Sequence, residues 1–187
     1  MEAIQIGGLI IYYDRIYRRI KVPRLEFEKG RLSVILPLGY KNERKLIERH
    51  ARWIKNRHES FREIGEISRN LVIPQPMDID AFRNFIEGKA RAFSRELGVE
   101  AGEVVSRKLK SRWGSCTGRG KITVNSILRF LPEKLIEYII FHETAHLVEK
   151  KHNKRFYAII KRKFQDTEKI EKELSAYWHI LFPRSPE

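Results

Sequence analysis

Three histidines and a glutamate that could bind and use a metal ion lie within eleven residues of the sequence, from His142 to His152. His142, Glu143 and His146 form an H-E-x-x-H motif. Four residues make about one turn of an α-helix, so the two imidazoles project from the same helical face. Histidines in this arrangement can share one Zn²⁺, and Glu143 then lies close to the water that the metal activates. The motif predicts metal-assisted hydrolysis with Glu143 as the general base.

A catalytic zinc site needs a third protein ligand and leaves its fourth position to water. His152 is the natural third ligand, because a turn of the chain just after His146 would bring it back beneath the metal. The alternative is a carboxylate from a later Lys- and Glu-rich stretch, which is more typical of a solvated face: Glu168, Glu171 or Glu173. The sequence therefore predicts one zinc ion per chain, held by the three histidines, with another divalent metal as the alternative.

The elements around the motif are predicted to hold it inside a domain. The helix that carries the motif is apolar on most sides, as expected of a buried helix, and Pro132 is well placed in its first turn. Asn153 is a suitable N-cap for the next helix. We expect the motif helix to run as far as Lys150 and Lys151, followed by helices at 154–164 and 167–181. Upstream, we expect strands at 104–110 and 121–127 around a glycine-rich loop, 111–120.

The first part of the chain is predicted to be β-rich. Runs of alternating or apolar residues, with many β-branched and aromatic side chains, indicate a series of short strands. These strands are expected at 4–6, 9–13, 20–22, 25–28 and 32–36.

Helical spacing of apolar residues follows these strands. A basic helix is expected from its N-cap Asn42 to about residue 64, then a proline-containing linker at 65–78, then a helix at 80–97 that ends at Gly98. This order divides the chain into an N-terminal extension, residues 1–70, and a metal-binding catalytic domain, residues 78–187.

The composition limits the location and the partners of the protein. A chain of 187 residues with 42% hydrophobic residues can form one domain with a substantial extension. The formal net charge of +14 favours polyanionic partners, such as nucleic acid bound through a basic surface. The longest apolar run is too short to span a bilayer, and the N-terminus lacks a signal pattern. The single cysteine, Cys116, fits a reducing compartment. We expect a cytoplasmic protein that does not bind membranes.

The sequence resembles the YgjP-like predicted metal-dependent hydrolases, relatives of the SprT/WLM zinc-metallopeptidase-like proteins. The resemblance lies in KSRWGSC at 110–116, G-x-I-x-V-N at 120–125, HETAHL at 142–147 and HNKRF at 152–156. It implies an α+β, zincin-like metallopeptidase domain, in which a small antiparallel or mixed sheet packs on the H-E-x-x-H helix, with an N-terminal β-rich extension. It also implies that the three histidines are the metal ligands and Glu143 the catalytic acid and base.

The resemblance further implies that the WGSC segment and the strand after it border the substrate cleft. Cys116 is then a residue of the cleft wall rather than a ligand, because three histidines already suffice. The residues predicted to bind substrate are Arg112, Trp113, Ser115, Cys116, Arg119 and Asn125.

Three functions are compatible with these residues. The first is zinc-dependent, metallopeptidase-like hydrolysis of a protein or peptide. The second is metal-dependent hydrolysis of a nucleotide phosphoanhydride, with Arg112, Arg119 and Lys121 holding phosphates. The third is a nucleic-acid-binding module with a structural metal. Structural zinc sites usually have four protein ligands, and Glu143 would have no role in one, which argues against the third function. The resemblance to metallopeptidase-like proteins makes the first the leading hypothesis, with the second as its competitor.

Overall fold

The chain divides after Arg69 into two compact units, Met1–Arg69 and Asn70–Glu187. The computed structural model describes residues 1–28 and 30–182. Within those residues, no helix is both long and apolar enough to cross a membrane.

The first unit is a mixed four-stranded sheet with helices after it. Its elements are β1 (Glu2–Ile6), β2 (Leu9–Arg18), β3 (Arg24–Glu28), β4 (Arg31–Pro37), α1 (Glu43–Arg49) and α2 (Ala51–Asn70). The strand order is β1-β2-β4-β3, with β2 parallel to β4 and the other pairs antiparallel. Along β2, Ile11 and Tyr13 are buried while Ile10 and Tyr12 are exposed, so one face of the sheet carries the core.

Three expectations for this unit are wrong. The expected strand at 20–22 is a bend. Val22 is 71% exposed there, so the segment has no buried apolar side that would hold it as a strand. The expected single helix at 42–64 is two helices, because the His50 N–H bonds the carbonyls of both Leu46 and Ile47 and closes α1 there. The second helix continues through Gly65 to Asn70, so the linker begins later than predicted. One glycine in a helix costs only about 1 kcal/mol, which neighbouring residues can offset.

The second unit is α+β, as predicted, and contains the H-E-x-x-H motif. Its elements are α3 (Ile79–Leu97), β5 (Val104–Arg107), β6 (Gly114–Cys116), β7 (Ile122–Asn125), a 3-10 turn (Ser126–Phe130), α4 (Glu133–Ala145), α5 (Lys154–Lys163) and α6 (Thr167–Leu181). The sheet order is β5-β7-β6, with β5 parallel and β6 antiparallel to β7. This small mixed sheet packs on α4, the motif helix.

Local capping explains why the helix bounds were predictable here. Asp78 accepts hydrogen bonds from the first turn of α3, and Gly98 ends that helix in the left-handed conformation, with φ 66°. Asn153 caps α5 in the same way as Asp78 caps α3. Two expectations fail: the WGSC segment contains a strand, β6, rather than only loop, and α4 ends at Ala145 rather than near Lys150.

Candidate metal centre

The end of α4 brings the three histidines together. His142 lies in the last turn of the helix, and His146 is its C-cap. Beyond His146 the chain turns tightly, since the N–H groups of Val148 and Glu149 both bond the carbonyl of Ala145, at 3.0 and 2.9 Å. This turn returns His152 to the same place, just before the N-cap of α5. The local turn thus does what the sequence spacing predicted.

The ring nitrogens of the three histidines converge on one point. One donor atom from each of His142, His146 and His152 lies within 4.8 Å of the others, and Nε2 of His142 is 2.9 Å from Nε2 of His152. Among the described residues, this group contains no carboxylate. Glu171, one of the alternative ligands, instead accepts a hydrogen bond from the Tyr138 hydroxyl at 3.0 Å.

The protonation of the cluster suits a metal. Nδ1 of His146 is 3.1 Å from the carbonyl oxygen of Glu149, which can only accept, so this nitrogen carries the proton and Nε2 has a free lone pair. Burial, followed by the charges of His146 and His152, lowers the pKa of His142 to about 4. The ring is therefore neutral at pH 7. Three imidazoles that converge on one point and leave a fourth side open fit a divalent metal.

Phe156 supports all three histidine rings, and its role was not predicted from the sequence. Its fully buried ring stacks on His146 at 4.6 Å between centroids. It also packs edge-to-face on His142 and His152, at 4.8 Å each. The signal for this role is its position: Phe156 lies in the first turn of α5, four residues after His152.

Glu143 is buried against the WGSC strand. Glu143 is only 8% exposed. A β-carbon on Gly114 of β6 would lie 2.8 Å from Glu143 Cγ and 2.9 Å from Oε1, so only glycine leaves room for the carboxyl group. Burial raises the pKa of Glu143 to about 7, and the charge of Arg112 opposes that rise. A carboxylate of this kind can take up and release a proton near neutral pH.

A cleft of about 610 Å³ opens over the histidines and Glu143. Its wall includes Arg112, Ser115 and Cys116 from the WGSC side and Lys150 from the turn after α4. Burial, followed by the charge of Glu143, raises the pKa of the Cys116 thiol to about 11. The thiol is therefore protonated at neutral pH, and among the described residues Cys116 is not part of the cluster that could hold a metal.

The model of a known family covers the part of the chain that contains these residues. The model of the YgjP-like family that describes its metallopeptidase domain matches residues 78–177. The chain belongs to the YgjP-like family. The resemblance inferred from the sequence is thus confirmed, and with it the metallopeptidase-like class of the domain. A metallopeptidase domain implies a divalent metal, which the three histidines of this YgjP-like chain could hold.

Similar proteins include an enzyme and two solved structures. A UTP pyrophosphatase of Escherichia coli (strain K12) is 41% identical over 46 residues, which are 25% of this chain and 28% of that protein. The metallopeptidase zymogen abylysin of Pyrococcus abyssi is 24% identical, with a TM-score of 0.46 over 49% of this chain and 93% of its own. The metallopeptidase zymogen jannalysin of Methanocaldococcus jannaschii is 22% identical, with a TM-score of 0.44 over 51% of this chain and 96% of its own.

The YgjP-like cleft has a second compartment of about 420 Å³, which shares Arg112, Gly114, His142 and Glu143 with the first. Trp113, a predicted substrate-binding residue, lines this compartment. Its ring packs edge-to-face on Trp178 at 4.6 Å. Glu143 thus lies at the junction of two compartments, one with Lys150 in its wall and one with Glu171.

Two of the six predicted substrate-binding residues do not line either compartment. Arg119 is exposed and belongs to neither lining. Asn125 is 1% exposed, and its amide nitrogen donates to the carbonyls of Leu109 and Arg112, at 2.9 and 3.0 Å. Its oxygen accepts from the N–H groups of Leu109 and Ile127. Asn125 therefore positions the backbone next to the cleft and has no free group for a substrate.

Proposed function

We propose that this protein is a zinc-dependent hydrolase in which His142, His146 and His152 hold the metal and Glu143 is the general base. The convergence of three imidazoles beside one buried carboxyl group carries the proposal. The chemistry that such a metal supplies is activation of water for attack at neutral pH and polarisation of the electrophile.

The chain's own residues do the remaining work. Glu143 Oε1 holds the proton that the attacking water loses and passes it to the leaving group. Gly114 leaves room for the carboxyl group because it has no side chain. The Glu149 carbonyl fixes the His146 ring through Nδ1, and Phe156 fixes the planes of the rings.

Metal analysis and two substitutions test this proposal. Protein purified without added metal should contain about one zinc ion per chain, and His146→Ala should lose it. Glu143→Gln keeps the shape of the side chain but cannot accept the proton, so it should retain the zinc and lose turnover by at least about a hundredfold. Full activity of Glu143→Gln would refute the role of this carboxylate. A zinc content unchanged in His146→Ala would refute the ligand set.

The leading substrate is a polypeptide, because the matching family model describes a metallopeptidase domain. A nucleotide phosphoanhydride is the second candidate. Arg112 and Lys150 in the cleft wall are suited to hold phosphate, and the similar Escherichia coli protein is a UTP pyrophosphatase. Partners beyond the substrate, including nucleic acid at the basic surface, stay predictions.

One matched pair of variants separates the two substrates. Wild type and Glu143→Gln are assayed on a denatured protein and on a panel of nucleoside triphosphates. For a nucleotide substrate, Arg112→Gln should raise KM by at least about tenfold, since it removes a charge-assisted contact to phosphate. Arg119→Gln is the control, because this substitution removes the same charge at a residue that does not line the cleft. Cleavage of the protein alone supports the peptidase function, and cleavage of triphosphates alone supports the second.

A further inference from the structure

A groove of about 810 Å³ runs along the β5 edge of the sheet in the second unit. It lies between α3, the outer edge of β5 and the 3-10 turn. The metal cleft borders β6, which is the opposite edge of the same sheet. The groove is therefore a separate feature, and nothing in the proposed hydrolysis uses it.

The lining of the groove shows that it follows the edge of a strand. Six consecutive residues, 103–108, contact it. Successive side chains of a strand point to opposite faces, so a cavity on one face would contact only every second residue. A cavity that contacts all of them lies along the edge, beside the backbone.

The outward backbone groups of β5 can be assigned from its pairing with β7. The Ile122 N–H donates to the Glu103 carbonyl at 2.9 Å, so residue 103 faces β7. In a parallel pair, alternate residues direct their N–H and C=O groups to the same side, and therefore Val105 and Arg107 also face β7. Val104 and Ser106 direct theirs into the groove. These outward groups have no backbone partner among residues 1–28 and 30–182, and an extended chain can hydrogen-bond to such a strand edge.

The walls of the groove indicate which chain would fit. Apolar side chains from α3 and the 3-10 turn form part of the lining: Ile79, Phe82, Ile127 and Phe130. Basic residues outnumber acidic ones, four to two: Arg83, Arg107, Lys108 and Arg129 against Glu87 and Glu103. Both carboxylates are paired with cations outside the groove, Glu87 with Arg91 and Glu103 with Lys121, and Arg83 is paired with Asp80. Arg107, Lys108 and Arg129 remain as the basic side chains of the rim. The groove is therefore apolar inside and positively charged at its rim.

We infer that the outer edge of β5 binds an extended segment of a partner polypeptide in which apolar and acidic residues alternate. The segment adds to the sheet as a further strand, and its backbone pairs with Val104 and Ser106. Its apolar side chains enter the groove between α3 and the 3-10 turn, and its carboxylates meet the basic rim. This site recruits a polypeptide whatever the substrate of the metal centre.

A fluorescent eight-residue peptide that alternates valine and glutamate is the probe. Binding to the full chain is measured by anisotropy with a chelator present, so that hydrolysis plays no part. We expect saturable binding that weakens as salt rises. The same peptide with lysine in place of glutamate should bind at least about tenfold more weakly, because the rim would repel it. Equal binding of the two peptides would overturn the inference, as would binding of a single-stranded DNA oligonucleotide but of neither peptide.

Ser106→Pro removes the outward N–H without touching the pairing with β7, and proline is tolerated at such an edge. It should weaken peptide binding by about tenfold, whereas Ser106→Ala, which keeps the N–H, should bind like the wild type. Unchanged binding in Ser106→Pro at an unchanged unfolding midpoint contradicts strand addition. If Ser106→Pro does not fold, a probe N-methylated at alternate residues replaces it. Methylation on the pairing edge must then abolish binding, and retained binding rejects the inference.

Discussion

A β-carbon on Gly114 would lie 2.8 Å from Cγ of Glu143, so the glycine of the WGSC segment is what makes room for the carboxylate. The two residues come from different elements, β6 and α4. Their contact joins the two sequence signatures of the domain at one point. The WGSC segment thus accommodates Glu143 of the motif helix because Gly114 has no side chain.

Gly114→Ala should displace the Glu143 carboxyl group and leave the histidines in place. We expect turnover to fall by about a hundredfold, since a shift of about 1 Å at a catalytic group can have that effect, with zinc content unchanged. Gly118→Ala is the matched control. Gly118 lines the same cleft, but a β-carbon there would meet no atom within 4 Å. Equal activity of the two variants would show that the close approach is irrelevant to function.

Asn153 links the stability of α5 to the position of His152. Its side-chain oxygen accepts from the N–H groups of Arg155 and Phe156, at 2.9 and 3.1 Å. Asn153→Ala should lower the free energy of unfolding by about 1 kcal/mol and also weaken zinc binding, because the turn that presents His152 loosens. Both are measured, by urea unfolding of metal-free protein and by competition with a chelator.

Asp78 provides the comparison for Asn153. It caps α3 in the same way but lies at the start of a different helix. Asp78→Ala should lower stability without changing zinc affinity. An equal loss of zinc affinity in both variants would mean that general destabilisation, not the position of His152, explains the effect.

Asn125 should act on stability before it acts on substrate. Asn125→Ala leaves the carbonyls of Leu109 and Arg112 without their donor, and the loss of these two part-buried hydrogen bonds should cost about 2 kcal/mol of unfolding free energy. Urea unfolding measures that loss. A residue that only bound substrate, as the sequence suggested for Asn125, would raise KM and leave the unfolding curve unchanged. That second pattern is the result that would contradict the structural role.

The different fates of these residues show what sequence patterns can predict. His142, His146 and His152 were predictable because their geometry depends on one helical turn and one local reversal of the chain. The bounds of α3, α5 and α6 were predictable for the same reason, since Asp78, Gly98, Asn153 and their neighbours act locally.

Features that depend on distant residues were not predictable. The sequence shows a polar residue at Asn125 but not that its amide turns inward to residues 109–112. Strand β6 is three residues long and exists because β7 pairs with it, so the segment alone reads as loop. Arg119 lies three residues after Cys116 in the sequence, but it is exposed and lines neither compartment of the cleft. The role of Gly114 likewise appears only when α4 is packed against β6.

Phe156 should matter to the metal as well as to the core. Phe156→Leu keeps an apolar side chain but loses the flat ring that stacks on His146 at 4.6 Å. We expect unfolding free energy to fall by about 1.5 kcal/mol and zinc affinity to fall at least about tenfold, as when other supports of metal ligands are removed. Phe93→Leu is the control: Phe93 is also buried, but it packs on Phe141 at 5.2 Å. It should lose similar stability and keep its zinc affinity. If both variants bind zinc like the wild type, the three histidine rings do not depend on Phe156 for their orientation.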